Sequence, residues 1–155
     1  MSHDASWFTV ELPYVFERQI AFCIPSAARV VSMSYEGLHD IRLTPAVTVA
    51  TDESHAEDYV LYDADRLTML VDGVRWPALG LHGGAPFPKT SDGLLAHVDP
   101  DANIAEARDG SGRVVIRSDH NDYPPGWLVA SFSEDGRLFV VGTPDGLWCW
   151  RRSSV

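Results

Sequence analysis

The sequence predicts an all-β protein of one domain, and three observations lead there. Short runs rich in Val, Ile, Leu, Phe and Trp alternate with clusters of Asp, Gly, Ser and Pro, as strands alternate with tight turns. No stretch sustains a 3.6-residue apolar period between helix caps. One pattern also recurs four times: a strand, a polar turn, a second strand, a turn ending in Gly, and a third strand. At 155 residues, 45% apolar and 22% charged, the chain matches a single globular core.

The first copy reads IAFCI, PSAA, RVVSMS, YEG, LHDIRL over 20–43, and the second YVLY, DAD, RLTMLV, DG, VRWPAL over 59–79. The third reads LLAHV, DPDA, NIAEAR, DGSG, RVVIRS over 94–118, and the fourth WLVASF, SEDG, RLFVVG, TPDG, LWCWRR over 127–152. Two markers keep step. The turn glycines Gly37, Gly73, Gly110 and Gly146 are 36, 37 and 36 residues apart, and the strand-opening Arg29, Arg66, Asn103 and Arg137 are 37, 37 and 34 apart. The best helix candidate, DANIAEAR at 101–108, falls where the other copies place a strand, so a strand is expected there. WFTVEL, residues 7–12, is a strand-like run with no partner of its own.

SFSEDGRLFVVGTPDGLWCWR in the fourth copy resembles the strand–turn–strand portion of a WD40-type β-propeller blade, and the first copy resembles it more faintly. The Gly-His pair that opens such repeats and the Trp-Asp pair that closes them are missing, and the period is shorter. The resemblance implies blade-like architecture. Propellers have four to eight blades, so a four-bladed propeller-like ring of antiparallel meanders is the simplest closure, with residues 7–12 completing the last blade and covering its edge. A β-barrel or β-sandwich is the alternative.

The formal net charge is −10, the pI is near 4.8, and Lys89 is the one lysine among twelve basic residues. This balance argues against nucleic acid, which requires a concentrated basic face, and against anionic membranes. It favours a basic protein partner. No apolar run approaches the ~20 residues of a bilayer crossing, and MSHDASWFTVEL lacks the basic opening of a secretory signal, so a cytoplasmic location is expected, as monomer or dimer. Cys23 and Cys149 lie inside apolar runs and read as small buried hydrophobes.

In blades of the WD40 kind, connectors between blades gather on one face, which commonly binds. Here they are TDESHAED at 51–58, HGGAPFPKTSDG at 82–93 and SDHNDYPPG at 118–126. The candidate binding residues are therefore Asp52, Glu53, His55, Glu57, His82, Phe87, His120, Asp122 and Tyr123, together with Trp127 at the edge of the third connector. Aromatics in proline-stiffened loops make good anchors, because little entropy is lost on ordering them. Loop histidines and carboxylates suit zinc, iron or manganese, yet no HExxH, His-x-His or CxxC occurs, so no metal site or cofactor is assigned. Asp99, Asp101 and Asn103 alternate as in a calcium loop, but Ile104 and Gly110 occupy the places of its turn glycine and bidentate Glu. There is no G-x-S-x-G elbow or P-loop, and whether the protein is an enzyme stays open. The reading is a non-catalytic binding module whose acidic loop face docks a protein partner, in one form by neutralising a basic protein. The alternative is a small enzyme or ligand-binding protein with a His/Asp site at a channel mouth.

Overall fold

A computed structural model describes residues 6–12, 18–121 and 126–153. The chain forms fourteen strands in chain order among these residues: β1 (Trp7–Val10), β2 (Gln19–Ser26), β3 (Arg29–Ser34), β4 (Leu38–Arg42), β5 (Thr48–Asp52), β6 (Tyr62–Asp63), β7 (Thr68–Val71), β8 (Val74–Gly80), β9 (Leu95–Asp99), β10 (Ile104–Arg108), β11 (Val114–Asp119), β12 (Val129–Phe132), β13 (Leu138–Thr143) and β14 (Gly146–Arg152). A single 3-10 turn, η1 (Glu53–His55), is the sole helical element described. The protein is thus all-β, and every pairing is antiparallel.

Four meanders of three consecutive strands stand out: β2-β3-β4, β6-β7-β8, β9-β10-β11 and β12-β13-β14. Gly37, Gly73, Gly110 and Gly146 each sit at the second hairpin of a meander. They make up three sheets, ordered β1-β14-β13-β12, β11-β10-β9 and β5-β4-β3-β2-β8-β7-β6, and none closes into a barrel. β1 lies along β14 with Trp7 opposite Arg152 and Val10 opposite Cys149. The first and second meanders are joined into one sheet because β2 pairs with β8, Phe22 facing Leu79 and Ala21 facing Gly80. Gly80 makes this approach possible, since a methyl there would stand 2.6 Å from the Ala21 Cα and closer still to the Ile20 carbonyl.

Burial explains the strand sequences. In β13 successive side chains go to opposite faces and all are buried, so the run is apolar throughout instead of alternating. Leu138 and Val140 pack with Phe22, Ile24, Val30 and Ile41 of the seven-stranded sheet. Phe139 and Val141 pack on the other side with Ala105, Ala107 and Ile116 of the three-stranded sheet. The four-stranded sheet is therefore the middle layer. Gly142 completes its fit: the Phe22 ring lies where a Cβ would be, with the ring Cζ 2.9 Å from that position. A third cluster, with Cys23, Val31, Met33, Tyr62 and Met69, fills the other face of the seven-stranded sheet. No helix among the described residues is long and apolar enough to cross a membrane.

Candidate functional site

The segment 48–60 is built by an extra strand. β5 continues the first meander by pairing with β4 from Thr48 opposite Arg42 to Asp52 opposite Leu38. Its sequence TVATD is almost wholly exposed, and with one face in water and no apolar residue but Val49 and Ala50 it carries no strand signature. Asp52 caps η1: its carboxylate accepts the Ser54 N–H at 3.0 Å and the Ser54 hydroxyl at 2.5 Å, and these bonds hold its pKa below the usual carboxylate range. Asp58 bonds the His55 Nδ1 at 2.7 Å and accepts the N–H groups of Val60 and Leu61, and the His55 bond is the largest cause of its own lowered pKa. Both aspartates are thus committed to the local fold. Glu53 and Glu57 are exposed, and among the described residues their carboxylates make no hydrogen bond or ion pair.

The Glu57 N–H donates to the Ser34 carbonyl at 3.2 Å, which ties this segment to the β3–β4 turn and its Tyr35. Arg18 lies 5.0 Å from the centre of the Tyr35 ring. Burial raises the Tyr59 pKa most, and the charges of Tyr35 and Glu57 raise it further. The rings continue from Tyr59 to Tyr62 at 6.1 Å and from Tyr62 to His82 at 6.2 Å, stacked at 26°. Tyr62 is fully buried and its hydroxyl has no hydrogen-bond partner among the described residues. The outer members are open: Tyr35 is 39% exposed, Tyr59 49% and Val60 78%. The result is an aromatic and aliphatic patch with two uncommitted carboxylates beside it.

Of the residues singled out from sequence, Asp52, Glu53, His55 and Glu57 share the segment that leads into Tyr59 and Val60, and His82 stacks on Tyr62. The others go elsewhere. Phe87 packs against the core between the three- and four-stranded sheets, with its backbone N–H bonded to the Ser131 hydroxyl at 3.1 Å. Trp127 packs against the core on the opposite side of the four-stranded sheet. His120 bonds the Ser118 hydroxyl at 2.8 Å and meets Trp148 edge-on at 4.5 Å, and burial lowers its pKa. Trp148 and Trp150 share a face of β14, yet Trp150 is core while Trp148 stands at its margin under His120. Asp122 and Tyr123 lie outside the described residues. Among the described residues no three His, Cys, Asp or Glu side chains gather as a metal site.

His39, which sequence reading passed over, is the most buried imidazole. Its Nε2 is 2.9 Å from the Ser34 hydroxyl and its Nδ1 2.9 Å from that of Thr51, and burial lowers its pKa. This polar bridge pins β5 and the β3–β4 turn together beneath the patch. Both cysteines are free and buried, and burial pushes each thiol up to about 12. Comparison with protein families, curated proteins and solved structures returned no match for this chain.

Proposed function

We propose that the protein is a non-catalytic binding module whose Tyr35, Tyr59 and Val60 dock a basic protein partner, with Glu53 and Glu57 meeting its charge. The observation that carries this reading is the set of exposed rings and aliphatic side chains on a segment with two exposed carboxylates that have no side-chain partner among the described residues. Tyr is a frequent hot-spot residue because it contributes a large rigid surface at small entropic cost, and rim charges steer encounter and set its salt dependence. The rigid base beneath the patch, His39 between Ser34 and Thr51 and Asp58 on His55, keeps the rings in place without a partner. Neutralising a basic toxin or nuclease is one form of this function. In such a role the protein acts in the cytoplasm, in keeping with two unpaired thiols.

The scaffold reading that accompanies it is a four-bladed, WD40-like ring. It is supported by the order in which meanders pack, third on fourth and fourth on first, and by β1 on the edge of β14. The β2–β8 pairing departs from separate blades by merging two of them.

The test uses basic proteins encoded beside this chain's gene, titrated onto the immobilised protein at two salt concentrations. For a partner that binds, Tyr59→Ala should weaken affinity about tenfold or more, and E53Q/E57Q together should flatten the salt dependence. Neutralising Asp52 and Asp58 would test the loop's folding instead. A partner bound with unchanged affinity and salt dependence by both variants would remove this face from consideration.

A further inference from the structure

Against a net charge of −10, three of the twelve basic residues converge on one cleft at the other end of the molecule. The β13–β14 hairpin brings them together. Its register sets Leu138 opposite Arg151, and the Arg152 N–H donates to the Arg137 carbonyl at 2.8 Å. β1 adds Phe8 directly opposite Arg151, and the β2–β3 turn supplies Ala27 and Ala28 as a facing wall. The space between measures about 520 Å³, and among the described residues no carboxylate lines it.

The three arginines are not equivalent. Arg152 is committed: its guanidinium bonds Asp92 at 2.5 Å and lies 5.4 Å from the centre of the Trp7 ring. Arg137 and Arg151 are exposed, and among the described residues neither guanidinium group makes an ion pair or hydrogen bond. Phe8, at 56% exposure, is the most open aromatic residue described. In a chain where Arg29, Arg42, Arg108, Arg113 and Arg117 all hold carboxylates, two free guanidinium groups beside an open phenyl ring are the exception.

We infer that this cleft binds a small organic anion, a phosphate or carboxylate carried on a flat apolar body. The charged group would lie between Arg137 and Arg151, whose planar forks bond two oxygens at once, while the body rests on Phe8 and the Ala27–Ala28 turn. The size suits such a ligand, because small-molecule sites run from about 300 to 1,000 Å³. The site is independent of the docking patch. Ala28 precedes β3 and Tyr35 follows it, so the two regions stand at opposite ends of a six-residue strand, roughly 20 Å apart.

Titration calorimetry of the full chain with phenyl phosphate, benzoate and inorganic phosphate tests this, with benzyl alcohol as the uncharged control. Saturable binding of phenyl phosphate or benzoate is expected, and which of the two binds more tightly identifies the natural head group. R137Q and R151Q, both at exposed positions, should each weaken it about tenfold, which is what one charge-assisted contact contributes. Phe8→Ala should weaken phenyl phosphate while leaving inorganic phosphate unchanged. No saturable binding of either aryl anion, equal binding of benzyl alcohol, or unaltered affinity in the R137Q/R151Q double variant would overturn the inference.

Discussion

Replacing Gly142 by Ala tests how the seven-stranded sheet is seated on the four-stranded one. A methyl there would meet the Phe22 ring, with Cζ at 2.9 Å and Cδ1 at 3.1 Å, and a buried ring at 0% exposure has nowhere to retreat. Overpacking of this kind costs about 1–3 kcal/mol, and the stiffer unfolded chain returns about 0.4–1 kcal/mol, so a net loss of about 1–2 kcal/mol is expected. Phe22→Leu alone should also destabilise, by roughly 1–2 kcal/mol, through lost burial. If the ring is the obstacle, the two losses should not add: G142A in the F22L background should cost little, giving a coupling of about 1–2 kcal/mol. Urea unfolding followed by tryptophan fluorescence measures all four corners of the cycle. Additivity within ~0.5 kcal/mol would refute the claim that this glycine exists to admit that ring.

Burial lowers the pKa of His39 and of His120, so each contributes stability that is fully present above about pH 6.5, the unfolded value, and is lost as pH falls toward the lowered folded value. Denaturation midpoints should therefore drop below pH 6.5, and the fluorescence of Trp148 should change over the same acidic range in the native protein and cease to do so in His120→Ala; a flat profile in the parent chain would refute the contact. Glu106 is 4% exposed and holds Arg108 at 2.7 Å and Arg117 at 3.4 Å. Because both guanidinium groups reach water, Glu106→Gln should cost about 1 kcal/mol, whereas R108M/R117M strands the buried carboxylate and should cost about 3–5 kcal/mol. Equal losses in the two variants by urea titration would count against that asymmetry.

The fold class was legible because strand periodicity is local. RLFVVG and RVVSMS are β-branched or aromatic runs between turn residues, and β13 and β3 lie on them. What pairs with what was not local. β5 escaped notice because TVATD buries almost nothing, and the β2–β8 contact depends on Gly80, where nothing in the local sequence marks the close approach of another strand. The acidic segment 52–58 was visible as a charge cluster, but only the hydrogen bonds separate Asp52 and Asp58, which hold the turn, from Glu53 and Glu57, which face water. Tyr35 and Tyr59 stand 24 positions apart in sequence, and their segments are tied together because the Glu57 N–H bonds the Ser34 carbonyl. The arginine cleft had a usable signal: with the TPDG turn setting the hairpin register, Arg137 has to face Arg152. The overall acidity drew attention away from it.

The pairing of β1 with β14 has a consequence for biosynthesis. Trp7 is 1% exposed in the folded protein, yet its neighbours in the core run from Leu94 to Trp150 and its partner strand comprises residues 146–152, so its cover comes from segments made long after it. β1 must wait for β14. Closure between strands so far apart in sequence is slow, and the waiting edge is a place for chaperones to engage or for nascent chains to stick to one another. Substitutions in β14 should accordingly reduce soluble yield more than they reduce the stability of whatever protein does fold.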